Sequence, residues 1–271
     1  MPLGRSPAVV IGSFPLGESD RVVSFFTRDF GKVRGVARAA RRMRSRFGSA
    51  LELLTLGELV FFDTGRSELV QVDHFDIVHP FEGVRRDLER LGQAAWIVEC
   101  VARLTADRDP SATLYGLLVR ALRSIEDGDG PRKAATVFAL RCVDVLGHRL
   151  RVDGCVACGR RGTVTDGAVI IDVEGGGLTC AACASRTRGA LRVEGGTLTA
   201  LRRLRTMSWS AAMGLALGAT EDQVREIVEL HVARLAGQPG RAARFLREIE
   251  RCWAVPAGLG PAPPRRGEVS T

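Results

Sequence analysis

The sequence predicts an α+β chain in two parts: an N-terminal OB-like β-barrel, then an α-helical domain with a four-cysteine hairpin inserted into it. Three observations support this. Residues 1–80 hold five short runs rich in β-branched and aromatic residues, separated by turn residues. From Val84 onward the apolar residues recur at steps of three and four, the helical period. Residues 154–196 break that period with glycines and two Cys-x-x-Cys pairs. At 271 residues the chain suits roughly two domains of ~100–150 residues each.

The strands come first. Pro7–Phe14 is an apolar run closed by Pro15 and Gly17, and Arg21–Thr27 ends near Asp29–Gly31. Lys32–Ala37 alternates. Glu58–Phe62 and Glu68–Val78 flank Asp63-Thr-Gly-Arg-Ser67, a hairpin loop with glycine inside it. Five strands with little helical period suggest a small closed or nearly closed barrel over residues 1–80. Nine of the eleven phenylalanines lie in the first 81 residues, and most are expected to fill that barrel.

A helical domain is expected over residues 81–253. Its first stripe is Leu88, Leu91, Ala95, Val98 and Val101/Ala102, and its second is Leu114, Leu117, Leu118, Ala121, Leu122 and Ile125. A third begins at Pro131, suited to a first helical turn, and carries Ala135, Phe138, Cys142, Val145 and Leu146. After the insert, Thr220-x-x-Gln223 reads as a capping box ahead of Val224, Ile227, Val228, His231 and Leu235. A last helix carries Phe245, Ile249 and Trp253, and the Pro- and Gly-rich residues 254–271 have the composition of a disordered tail.

Whole classes of function are excluded by what the sequence lacks. No stretch approaches ~20 apolar residues, so a membrane-spanning helix is not expected, and no secretory signal is apparent. Seven cysteines, four of them in Cys-x-x-Cys pairs, fit metal in a reducing, cytoplasmic compartment better than a disulfide framework. Phosphate-loop, H-E-x-x-H and G-x-S-x-G motifs are absent. A zinc deaminase would need a catalytic glutamate two residues from a ligand and an open metal position, and neither is visible. Lys32-Val-Arg-Gly35 is superficially similar to the K-x-D-G motif of DNA ligases, but Arg34 stands where aspartate is required. Among the histidines, His74 and His231 read as structural, and His79 and His148 have no visible acidic companion. The expectation is a protein that is not an enzyme.

Two constellations remain. In the first, Cys155-Val-Ala-Cys158 is followed after twenty-one residues by Cys180-Ala-Ala-Cys183. A two-residue gap lets both thiolates of one turn face one cation, and two such turns complete a tetrahedral sulfur site. The connecting hairpin is expected to pair Thr163–Thr165 with Ala168–Val173 across Asp166-Gly167. Four ligands leave no open position, so Cys155, Cys158, Cys180 and Cys183 predict structural zinc. Cys100, Cys142 and Cys252 lie on helical stripes and read as buried thiols.

The second is the basic run. Net charge is +8, and between Arg28 and Arg46 eight basic residues face one acid, a local +7. Lys32, Arg34, Arg38, Arg41, Arg42, Arg44 and Arg46 emerge from a barrel strand with small residues between them. Such a density of like charge suits a polyanion. Barrels of this kind bind single strands by tracking phosphates with cations and stacking bases on aromatic rings. Phe30 and Phe47 bracket the run. An RNA-binding zinc/OB factor of translation or transcription, or a protein-interaction scaffold with an acidic partner, are the alternatives.

The order of parts, together with Val9–Phe14, Gly17-Glu-Ser-Asp-Arg-Val-Val23, Phe26-Thr27, Gly31-Lys-Val-Arg-Gly-Val-Ala37 and both cysteine pairs, resembles the bacterial RecO family of recombination mediators over about residues 5–253. The family pattern continues Lys-Gly-Ala-Arg after the third strand, and here Arg38-Ala39-Ala40-Arg41 lacks that glycine. Leu51–Leu56 resembles the following segment without its usual Pro-Phe. The resemblance implies a protein that binds single- and double-stranded DNA, anneals complementary strands and assists RecA loading onto DNA coated by single-strand-binding protein. It implies RecR and the acidic C-terminal tail of the single-strand-binding protein as partners, the latter on the helical domain, and a cytoplasmic, nucleoid-associated location.

Overall fold

A computed structural model describes residues 3–254 apart from 66, 129, 162–167 and 188, with 249–254 described in backbone only. The residues of the expected tail beyond 254 lie outside it.

The N-terminal part is a closed barrel of five strands: β1 (Leu3–Leu16), β2 (Asp20–Thr27), β3 (Gly31–Ala37), β4 (Leu56–Phe62) and β5 (Val70–His79). Their order round the barrel is β1-β2-β3-β5-β4, with β3 and β5 parallel and the other pairs antiparallel. β1 is longer than its apolar run because it serves two neighbours. Leu3–Val9 pair with β4, Ala8–Leu16 with β2, and a register shift between Val10 and Gly12 turns the strand from one to the other. Gly31 (φ +65°) makes the β2–β3 turn, and a Cβ there would lie within 2.2 Å of the Asp109 carbonyl oxygen, so only glycine lets that loop approach.

Side chains alternate across the barrel wall. Ala8, Val10, Val23, Phe25, Val33, Phe61, Val72 and Phe75 fill the interior. Val9, Ile11 and Phe26 point outward and join a second, larger core shared with the helices. Phe26 and Phe81 therefore leave the barrel for that second core, while Phe14 stays 57% exposed.

The helical part opens with α1 (Glu82–Arg85), α2 (Leu88–Leu104), α3 (Ala112–Asp127) and α4 (Pro131–Val145). Asp87 and Ser111 cap α2 and α3 by accepting from the backbone N–H of Arg90 and Leu114. The α2 stripe is not the expected one. Leu88 is exposed, while Gln93, Ala94, Trp96, Ile97, Val98, Cys100 and Val101 are buried. α2 packs against α3, α4, the barrel and the last helix at once, so no single polar face remains to define a stripe.

The insert forms a sheet of β6 (Ala168–Asp172), β7 (Gly177–Thr179) and β8 (Leu191–Glu194) in the order β7-β6-β8, with the short α5 (Ala181–Ala184) between β7 and β8. Here the expected hairpin is corrected in part: β6 pairs with the downstream β7 and β8. Residues 163–167, its other half and turn, fall outside the described residues. The chain continues through α6 (Gly195–Thr206), α7 (Trp209–Gly214), α8 (Thr220–Leu235) and α9 (Arg241–Ala254). The capping box does not form. Thr220 Oγ1 donates back to Leu217, and Gln223 Oε1 accepts from Glu194 N–H and Thr197 Oγ1 instead, joining α8 to the start of α6. No helix among the described residues is long and apolar enough to cross a membrane.

Candidate nucleic-acid interface and metal centre

The seven expected cations differ in what holds them. Lys32 is committed to the fold: its Nζ donates to the carbonyls of Ala102 (2.8 Å) and Thr105 (2.7 Å) at the end of α2 and pairs with Asp107 at 3.3 Å. Arg34 is held by Asp107 (2.9 Å) and Glu68 (3.1 Å). These two residues alternate on the outer face of β3, with Val33 between them in the barrel core.

Beyond β3 the chain makes a series of turns over residues 38–55. Its far end is anchored by Phe47, Ala50 and Leu51 in the barrel core and by Leu54 in the second core. Its near end is tied to the β1–β2 turn, where Ala39 N–H donates to Asp20 Oδ1 (2.8 Å) and Arg41 N–H to the Ser19 carbonyl (2.9 Å). The Arg41 guanidinium donates to the Gly17 carbonyl at 2.6 Å. Arg46 lies over the Phe47 ring, 5.0 Å from its centroid, and 3.9 Å from Asp73. Arg38, Arg42 and Arg44 are exposed, and their guanidinium groups have no partner among the described residues. The unneutralised charge of the basic run therefore sits in the first half of a loop fixed at both ends.

The bracketing aromatics lie elsewhere. Phe47 is 4% exposed inside the barrel, and Phe30 meets Phe61 edge-on at 5.3 Å. The exposed ring near the loop is Phe14, two residues from the β1–β2 turn.

The four cysteines do converge. The sulfurs of Cys155, Cys158, Cys180 and Cys183 all lie within 4.8 Å of one another, with Cys158 alone exposed. Cys155 N–H donates to the Arg160 carbonyl, and Gly159 (φ +74°) closes the first turn by donating to the Cys155 carbonyl. Cys180 sits at the cap position of α5, whose first turn brings Cys183 round to the same side. The 3.8 Å between the Cys158 and Cys180 sulfurs matches the separation of roughly 3.8 Å expected of ligands 2.3 Å from one tetrahedral ion.

The electrostatics point the same way. Burial raises the Cys155 thiol, but N–H groups of Cys180, Cys158 and Ala157 directed at its sulfur outweigh this and bring it down to about 5. Cys183 is pushed up to about 11 by the neighbouring sulfurs of Cys180 and Cys158, the reverse of what a cation among them would do. The donor set can hold one thiophilic metal ion. Backbone bonds from Val156 N–H to Leu178 and from Leu178 N–H to Arg151 join the centre to the small sheet, whose Val169, Ile171, Leu178 and Val193 belong to the helical core.

The histidines divide differently from expectation. His79 has an acidic companion after all, with Nε2 2.6 Å from Glu126 Oε2, contributed by α3 forty-seven residues later. His231 is buried, its Nε2 2.7 Å from the His148 carbonyl oxygen.

Residues 1–81 match the family model described as recombination protein O N terminal, and residues 85–239 match that of recombination protein O C terminal. The chain is 34% identical to the DNA repair protein RecO of Anaeromyxobacter dehalogenans (strain 2CP-1), over 92% of this chain and 98% of that protein. To the DNA repair protein RecO of Frankia casuarinae it is 36% identical, covering 79% and 86% respectively. The protein of that name from Listeria monocytogenes is 25% identical over 91% of this chain and 95% of its own.

Proposed function

The chain belongs to the RecO family, and from that premise we propose that it is a non-catalytic DNA repair and recombination mediator. In this reading it binds single- and double-stranded DNA and anneals complementary strands. It acts with RecR and assists RecA loading onto DNA coated by single-strand-binding protein, whose C-terminal tail it meets on the helical domain. It works in the cytoplasm, at the nucleoid.

The observation that supports this most directly is the placement of Arg38, Arg42 and Arg44, unpaired among the described residues on a loop tied to the β1–β2 turn. Cations fixed on a rigid base neutralise phosphate without having to be ordered first. Neutralising two strands lowers the repulsion that opposes their encounter, and base pairing then supplies the sequence recognition. Lys32 and Arg34 contribute less directly, through the shape of the strand that carries the loop.

Cys155, Cys158, Cys180 and Cys183 would hold zinc in a structural role, since four sulfur ligands leave no position for substrate. So held, these residues would tie the small sheet and α5 into one unit against the bundle.

The test is annealing of complementary DNA strands precoated with the cognate single-strand-binding protein, with and without this chain at moderate salt. Acceleration is the expected result. No acceleration even with RecR present, combined with tighter binding to structured RNA, would favour an RNA-associated factor instead.

A further inference from the structure

We propose that a depression on the outer face of β1–β3, walled by Phe14, holds one unpaired nucleobase of a bound single strand; the inference rests on the DNA-binding reading and gives that site a base-stacking residue. The depression has a volume of about 410 Å³, and Gly12, Phe14, Ser24, Arg34 and Asp107 line it.

The strand register builds it. Gly12 pairs with Ser24 and Ser24 with Arg34, so three outward positions form one row across β1, β2 and β3. Phe14, Val22 and Val36 form the next row. Gly12 has no side chain to fill the row, and the Phe14 ring takes that space: a Cβ on Gly12 would lie 3.4 Å from the ring and 3.7 Å from Ser24 Oγ. The ring remains 57% exposed, which for phenylalanine on a barrel wall leaves apolar surface without a protein partner among the described residues.

Charge separates this depression from the loop beside it. Lys32 and Arg34 are matched by Asp107 and Glu68, so the local balance is neutral. A phosphate would gain little there. An uncharged planar ring gains a face from Phe14 and a hydrogen-bonding edge from Ser24 Oγ, which has no partner among the described residues. The free cations begin just past the end of the same strand: β3 runs on from Arg34 to Ala37, about 10 Å at strand rise, and Arg38 is the next residue. Phosphates on the loop and a base against Phe14 thus fall along one path, and only a strand with unpaired bases satisfies both. The site therefore favours single-stranded over duplex DNA.

The test compares wild-type protein with Phe14→Ala and Phe14→Trp by fluorescence anisotropy, using oligothymidylate and a blunt duplex, together with an oligonucleotide carrying 2-aminopurine to report stacking. Phe14→Ala is expected to weaken single-strand binding by about tenfold, in line with the loss of one stacked base, and to abolish the 2-aminopurine quenching. Its duplex affinity and melting temperature should stay at the wild-type values, and Phe14→Trp should restore single-strand binding. Unchanged single-strand affinity in Phe14→Ala, or equal losses on single strand and duplex, would overturn the base site while leaving the cationic loop in place. Failure of the wild-type chain to bind either DNA would overturn the DNA-binding reading and the base site with it.

Discussion

The Arg41 guanidinium donates to the Gly17 carbonyl oxygen at 2.6 Å, joining the basic loop to the β1–β2 turn twenty-four residues earlier. That one bond spends a cation of the run on the fold. It also sets the orientation in which Arg38, Arg42 and Arg44 are displayed, so the basic run is partly scaffold and partly surface.

Ala39 gives the first prediction. It adopts φ +57° in the same loop, where the family pattern has glycine. A left-handed conformation costs a residue with a Cβ about 1–2 kcal/mol, against about 0.4–1 kcal/mol for glycine's extra freedom in the unfolded chain. Ala39→Gly should therefore stabilise the protein by about 0.5–1 kcal/mol. Thermal and urea unfolding measure this, and a lower melting temperature would contradict the backbone conformation.

Lys32 tests the division between scaffold and surface. Its Nζ serves two carbonyls at the end of α2 as well as Asp107. Lys32→Met leaves those acceptors without a donor, at about 1–3 kcal/mol. The expected outcome is a lower melting temperature, with DNA affinity retained at temperatures where the variant is folded. A stable variant with lost affinity would mean that Lys32 meets phosphate instead.

Metal content gives a third prediction. Elemental analysis should find one zinc per chain, and Cys180→Ser should abolish it. Binding energies of roughly 10 kcal/mol or more at such sites are folding energy, so chelation should lower the melting temperature and expose the amides of β6 and β7 to exchange. Because Cys183 must lose a proton held up at about 11, affinity for the metal should fall as pH falls. Metal-free protein of undiminished stability would refute the structural role.

Acid sensitivity follows from His231. Burial is the main cause that lowers its folded-state pKa below the ordinary 6.5. The unfolded chain therefore binds a proton first on acidification. The stability contributed by the neutral, buried ring is complete above 6.5 and is lost as pH falls through 6.5 toward the lowered folded value. His231→Gln, neutral at every pH and able to donate to the His148 carbonyl, should flatten the pH dependence of unfolding in that window. An unchanged slope would assign the acid sensitivity to other groups.

How much was legible in the sequence depends on how far apart the interacting residues lie. The five strands and the convergence of the four cysteines are legible because their signals are local, β-branched runs in one case and two-residue gaps in the other. The first half of β1 is not: Gly4, Arg5 and Ser6 have no strand signal and are extended because β4, some fifty residues later, pairs with them. The same holds for the basic run. Its charge was plain, but Lys32 and Arg34 are neutralised by Asp107 and Glu68 from distant loops. The Thr220–Gln223 pair had the right spacing for a cap, yet bonds from Glu194 and Thr197 to Gln223 displaced it. Phe14 does not stand out in the sequence, because an exposed aromatic and a buried one look alike in a short strand.

The central claim, that Arg38, Arg42 and Arg44 are the phosphate-contacting surface, is tested most directly by the salt dependence of single-stranded DNA binding. The wild-type protein is to be compared with the Arg38→Glu, Arg42→Glu, Arg44→Glu triple variant. The account predicts sharply weaker binding by the folded variant and a slope of log affinity against log salt that is shallower by about one for each lost contact. A folded triple variant with the wild-type affinity and slope would contradict it and move the DNA-binding surface off this loop.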